Sequence, residues 1–242
     1  MRYGIFSDVH ANLEALEAVI QAFQNEFIDQ SLCVGDVVGY AANPRECIEK
    51  VRALAMITVA GNHDWASTDL FSLDYFNPQA AKAIVWTKEK LDDPSRYFLE
   101  SLKPIYKNAD LTLAHGTLDN PADFHYLTDS YSVRQTFALL ETPIGFVGHT
   151  HIPGVFVEDE GKHIYYCRDD AVHIEEKNRY IINVGSVGQP RDGNSAAIYC
   201  IYDTDQKIAW IKRVNYDFEI TRNKIINAGL PRFLAERLVI GK

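Results

Sequence analysis

Asp, Asn and His recur where short apolar runs end, and this pattern constrains the 242-residue chain more than any other feature. Phe6 precedes Ser7-Asp8-Val9-His10, Val34 precedes Gly35-Asp36, and Val59 precedes Ala60-Gly61-Asn62-His63-Asp64. Leu113 precedes Ala114-His115-Gly116, and Val147 precedes Gly148-His149-Thr150-His151. Runs this short read as buried strands, and open α/β sheets bind ligands beyond the carboxyl ends of their strands. Distant segments are therefore expected to converge on one site.

The rest of the pattern agrees with an α/β chain. Expected strands are Tyr3–Phe6, Ser31–Val34 and Met56–Val59, with helices at Ala11–Phe23, Pro44–Leu54, Ala80–Leu91 and Tyr97–Leu102. Pro44 suits a first helical turn, where its missing N–H costs nothing. From Leu111 strands dominate: Leu111–Leu113, Ile144–Val147, Val155–Glu158, Ile164–Tyr166, Tyr180–Val184, Ala196–Tyr202 and Ile208–Val214, with a helix at Val133–Leu140. We expect one domain over 1–242, ending in a helical tail from about 217 to 242 that Gly229-Leu230-Pro231 breaks in two.

Composition excludes several classes. With 47% apolar and 24% charged residues, neither a disordered nor a fibrous chain is suggested. The apolar start before Asp8 is too short for a signal peptide, and no segment has the roughly 18 apolar residues of a membrane span. Cys33, Cys47, Cys167 and Cys200 are scattered and read as reduced structural thiols in a cytoplasmic protein. A net charge of −9 without a basic cluster argues against long nucleic acid as a partner, nucleases included. An anionic substrate would then need bound cations to attract it.

The recurring residues supply such a site. Asp8/His10 and His149/His151 are i,i+2 pairs, which extended backbone would point to one side. Oxygen and imidazole donors without thiolate suit Mn²⁺, Fe or Zn²⁺. Seven candidate ligands (Asp8, His10, Asp36, Asn62, His115, His149 and His151) exceed what one ion with an open position can use, whereas two ions sharing a carboxylate use them well. A single strand-end His is usually structural, and Asn62 after Gly61 is also turn chemistry; the ordered set is what favours a metal site.

In order, D-x-H, G-D, G-N-H-D, H-G and G-H-T-H resemble the motif set of the calcineurin-like metallophosphoesterases, over residues 8–151. The stretch Asn183–Gly193 and the Gly229-Leu230-Pro231 segment are similar to the small bacterial and archaeal phosphodiesterase-like branch. The resemblance implies an α/β/β/α sandwich of two mixed sheets flanked by helices. It implies that Asp8, His10 and His151 hold one metal, that Asn62, His115 and His149 hold the other, and that Asp36 bridges them. A hydroxide between the metals would attack a phosphate ester or phosphoanhydride of a small molecule, with manganese the favoured ion. His63 would face the substrate unligated and protonate the leaving oxygen, with Asn62 also contacting substrate. By adjacency alone, Asp64 is a candidate to orient His63.

Other positions stay open. Arg191 is either a phosphate clamp or part of a solvated turn with Asp192 and Gly193. His125 follows the His115 loop and reads as a surface residue or a pocket lining, while His163 and His173 read as surface or packing residues. Tyr40, Trp65, Tyr75 and Phe76 suit either a leaving-group pocket or the core. Asp36 is followed by Val37-Val38-Gly39-Tyr40 and the third motif ends in Asp64, departures from the family's protein phosphatases that disfavour a phosphoprotein substrate. The alternatives are a dinucleoside polyphosphate hydrolase and a non-catalytic protein-binding scaffold of the same fold; oligomeric state is open.

Overall fold

A computed structural model describes residues 1–54 and 57–242; Met56, expected to begin the third strand, lies outside them. The elements run β1 (Arg2–Phe6), α1 (Leu13–Asn25), β2 (Gln30–Cys33), α2 (Pro44–Leu54), β3 (Ile57–Thr58), α3 (Asn62–Ala66), α4 (Pro78–Lys90) and α5 (Asp93–Ser101). There follow β4 (Ile105–Lys107), β5 (Thr112–Ala114), α6 (Ser130–Leu139), β6 (Ile144–Val147), β7 (Gly154–Glu158) and β8 (Ile164–Cys167). The chain continues through β9 (Ala171–His173), β10 (Arg179–Asn183), β11 (Ala197–Asp203) and β12 (Ile208–Val214) to α7 (Phe218–Asn227) and α8 (Arg232–Ile240).

Two six-stranded mixed sheets result, in the orders β3-β2-β1-β11-β12-β9 and β4-β5-β6-β10-β7-β8. Parallel pairing joins β1, β2 and β3 on one side of the first sheet and β5, β6 and β10 in the middle of the second. Strand alternation decides what faces what. Ile5, Leu32 and Val34 point between the sheets and pack with Leu113, Phe146 and Ile182. Phe6, Cys33 and Tyr199 point the other way, against Leu16, Val19 and Phe23 of α1 and Ile48 and Val51 of α2. On the outer face of the second sheet, Val147 and Ile181 pack on Val133 and Phe137 of α6. This is the expected α/β/β/α order of layers.

Local chemistry sets the helix ends. The Asn12 side chain accepts from Ala15 N–H at 3.1 Å and caps α1, which therefore starts two residues later than the periodicity predicts. Ala11 has φ of 56° and is not helical. Asp92 caps α5 through Ser95 N–H, which carries that helix back to Asp93. The tail breaks where expected, and Ile225, Leu234 and Leu238 from its two helices pack with Ala80 and Ala83 of α4.

Candidate metal centre

The carboxyl ends of β1, β2, β3, β5 and β6 meet at the seam between the two sheets, and the residues that follow them form one buried cluster. Asp8, His10, Asp36, His115 and His151 are each no more than 2% exposed, His63 is 3%, His149 6% and Asn62 8%. Three overlapping groups bring donor atoms within 4.8 Å of one another: Asp8, His10 and His151; His10, Asp36 and His63; Asp36, His115 and His149.

The pairs do not converge through extended backbone as the spacing suggests. Asp8, His10, Asp36, His149 and His151 have φ of 54°, 50°, 54°, 67° and 61°, in the left-handed region that non-glycine residues avoid. The chain curls tightly after β1, β2 and β6, and hydrogen bonds lock the curls together. Asp8 N–H donates to Gly35 O at 2.9 Å and His10 N–H to Asp36 O at 3.0 Å. His149 N–H donates to Asp8 Oδ2 at 3.0 Å, tying the first sheet to the second. Strain of this kind persists only where surrounding structure enforces it, and it concentrates at functional sites.

Backbone carbonyls set the imidazole tautomers. The Nδ1–H of His10 donates to Val38 O (3.1 Å), that of His115 to Val34 O (2.7 Å) and that of His151 to Gln189 O (2.6 Å). A ring held this way directs its Nε2 toward the cluster, where that nitrogen's lone pair is available to a cation. The Nε2 atoms of His10 and His151 lie 3.1 Å apart, and His151 Nε2 is 3.1 Å from Asp8 Oδ1. Asp36 Oδ2 is 3.6 Å from His10 Nε2 and 3.2 Å from His115 Nε2. Lone pairs and carboxylate oxygens converging this closely repel one another unless a cation sits among them. Asp8 Oδ1, Asn62 Oδ1 and His115 Nε2 are also buried without a hydrogen-bond partner. The donor set therefore fits divalent cations, with the imidazoles oriented from behind by hydrogen bonds as metal-binding histidines usually are.

Electrostatics agree. Burial favours neutral Asp8 and Asp36, but the surrounding imidazoles override it and hold both carboxyls well below their ordinary range. Burial drives His149 down to about 3 and His151 to about 4, so both rings are neutral and able to donate a lone pair. On His115 burial is outweighed by Asp36 and Asp8, which lift it to about 10. A proton there occupies the position that a metal ion would take over.

Asp64 does not orient the His63 ring. Its Oδ1 accepts from Val37 N–H (2.8 Å) and Val38 N–H (3.2 Å), and its Oδ2 accepts from Gly61 N–H (3.0 Å). The carboxylate clips the β2 loop to the β3 loop. Between those loops a Cβ on Gly61 would lie 2.1 Å from Asp36 Oδ1, so only glycine fits. Asp36 Oδ1 in turn accepts from His63 N–H at 2.9 Å, satisfying a first-turn donor of α3. The His63 ring packs against Tyr40 and Phe76, at 4.5 and 4.9 Å between centroids, and its Nδ1 is buried without a partner.

A cavity of about 220 Å³ opens onto the cluster and is lined by Asp36, Asn62, His63, His149, His151 and Arg191, with Tyr40, Tyr75 and Phe76 among its aromatic walls. Arg191 reaches it on the loop after β10, its Nη2 donating to Tyr40 Oη (3.3 Å) and Gln189 Oε1 (3.1 Å), so it is no solvated turn residue. Trp65 is not in the lining and packs on Phe124. His125 sits at the mouth with an exposed side chain, and His163 and His173 lie elsewhere on the surface. Sequence reasoning missed Phe124 and Tyr126; the Tyr126 ring stacks on His149 at 3.8 Å and 14°. Nothing marks them in the sequence except their position in the loop after His115.

Facing mixed sheets, outer helices and a buried Asp/His cluster at the ends of the parallel strands define a metallophosphoesterase fold. Residues 1–207 match the calcineurin-like phosphoesterase superfamily domain, and the chain belongs to that family. It is 41% identical over 243 residues to an uncharacterized protein of Methanocaldococcus jannaschii, a match covering 99% of this chain and 98% of the relative. A crystal structure of a metallophosphoesterase from Sphaerobacter thermophilus is similar at a TM-score of 0.88 and 41% identity, covering 100% of this chain and 99% of that one. A hypothetical protein from Pyrococcus horikoshii OT3 shares the fold at a TM-score of 0.78 and 17% identity, covering 100% and 98%.

Proposed function

We propose that the chain is a hydrolase, a dinuclear-metal-dependent phosphoesterase acting on a phosphate ester or phosphoanhydride of a small molecule. The observation that carries this reading is the buried convergence of carbonyl-anchored imidazoles on Asp8 and Asp36, beside a cavity that also holds His63 and Arg191. In this assignment Asp8, His10 and His151 hold one ion, Asn62, His115 and His149 hold the second, and Asp36 is shared. The placement of Asp36 Oδ2 between His10 Nε2 and His115 Nε2 supports the sharing. Mn²⁺ is the first choice of ion, with Fe or Zn²⁺ as alternatives. Two such ions supply Lewis acidity toward phosphoryl oxygens and acidify a bound water.

The chain's own residues do the rest. His63 is kept off the metals as the acid. Burial pushes it well below its ordinary pKa, against the pull of Asp36, so the ring is neutral before substrate binds. An arriving phosphate raises it, and the proton it takes up is delivered to the leaving oxygen. Arg191, with its Nε buried and unpartnered, holds the phosphoryl group beside Asn62. We read 1–242 as one domain with 217–242 as its helical tail. A cytoplasmic setting belongs to the same reading, supported by four free cysteines. Among the described residues no helix is long and apolar enough to cross a membrane.

The test is the purified chain loaded with Mn²⁺ and assayed on a bis-aryl phosphodiester, an aryl monoester and diadenosine tetraphosphate. Turnover of an ester that chelator abolishes and Mn²⁺ restores is the expected result. Two ions per chain with no turnover of any phosphate compound would favour the scaffold instead.

A further inference from the structure

The cavity has an aromatic side that the proposed chemistry leaves unused. Tyr75 lines it while remaining 79% exposed. One face of its ring stacks on Phe71, at 5.1 Å and 29°, and the exposure places the other face in water. Phe71 is fixed edge-on by Phe76 (6.0 Å, 88°) and Phe124 (5.3 Å, 81°). Phe76 meets the His63 ring edge-on at 4.9 Å. Ring contacts therefore run without a break from His63 to Tyr75.

Resting on the phosphoesterase reading above, we propose that the substrate's leaving alcohol carries a flat aromatic ring system, a nucleobase or an aryl group, and that Tyr75 is the platform on which it stacks. In the proposed reaction the leaving group departs on the His63 side of the cavity, and Phe76 touches that ring, so the leaving group lies along the wall beginning at Phe76. A propped ring with one free face is how proteins stack a base or an aryl ring without reading its edge. About 220 Å³ falls below the roughly 300–1,000 Å³ of pockets for drug-sized ligands, so the enclosed part suits a phosphoryl group while a ring stacked on the exposed Tyr75 extends toward solvent.

Two inert probes separate stacking from simple hydrophobic contact: phenylphosphonate and cyclohexylphosphonate, of equal carbon number, titrated calorimetrically into the Mn²⁺-loaded protein. Burial alone favours the more apolar cyclohexyl ring. Stacking favours phenyl, by about five-fold or more in Kd. Tyr75→Ala is expected to bring the ratio close to one and Tyr75→Phe to retain it. Tyr97→Ala, at an exposed position outside the lining, is expected to leave it unchanged. Equal or tighter binding of cyclohexylphosphonate, binding of neither probe, or a ratio unmoved by Tyr75→Ala overturns the proposal. Because the probes are not hydrolysed, a chain that fails to turn over esters yet prefers phenyl would refute the catalytic reading alone.

Discussion

The main-chain N–H of His63 donates to Asp36 Oδ1 at 2.9 Å, while the imidazole of the same residue packs against Tyr40 and Phe76 with its Nδ1 unpartnered. Backbone and side chain thus serve different purposes, and substitution can separate them. His63→Ala keeps the hydrogen bond to Asp36 and should leave close to two metal ions per chain. Turnover should fall by roughly 10² to 10⁴-fold, the usual worth of a positioned acid. Elemental analysis alongside rate measurement checks both halves, and loss of metal would make His63 a ligand.

Asp36→Ala removes the oxygen that lies 3.6 Å from His10 Nε2 and 3.2 Å from His115 Nε2. Both ions should be depleted together. Mass-spectrometric metal analysis that still finds two per chain would end the sharing role.

Asp64→Ala leaves three main-chain donors, on Val37, Val38 and Gly61, without their acceptor. Each buried donor left without an acceptor costs about 1–3 kcal/mol, so over three donors a destabilisation of about 3 kcal/mol or more is expected. Urea unfolding measures it. A change below about 1 kcal/mol would mean that the loops hold their positions without the clip.

Alkali should destabilise the fold through two phenols. Burial, with Asp110 accepting the Tyr3 hydroxyl at 2.8 Å, raises Tyr3 from 10.0 to about 12, and burial does the same for Tyr216. Both pKa values are higher folded than unfolded, so this stability is fully present below pH 10 and is lost as pH rises toward 12. Thermal melts across that range should show Tm falling, and less steeply in Tyr3→Phe and Tyr216→Phe. Unchanged slopes in both variants would assign the alkaline loss to other groups.

The sequence carried the architecture because the buried strands are short apolar runs ending in polar residues; Ile144–Val147 and Ile208–Val214 have the bounds that their patterning predicts. β4 and β9 were not legible. Ile105 and Lys107 are exposed, and only Val172 of β9 is buried, so each strand turns a single residue inward, too few for a pattern to show. All the predicted site residues are brought together, yet their means of convergence was hidden, because a positive φ at Asp8 or His149 is imposed by contacts from other strands. The clip made by Asp64 was hidden for the same reason. Its partners at Val37 and Val38 are 27 and 26 residues away, and only the fold brings them within reach.

The left-handed conformations of Asp8, His10, Asp36, His149 and His151 reach beyond this chain. Stability alone would favour glycine at such positions, so an acid or imidazole kept there marks a requirement of another kind. Backbone angles survive in coordinates after sequence identity has faded. Distant homologues with unrecognisable motifs can therefore be searched for Asp and His residues of positive φ just beyond parallel strands, which would locate an ion-binding seam before any side chain is compared.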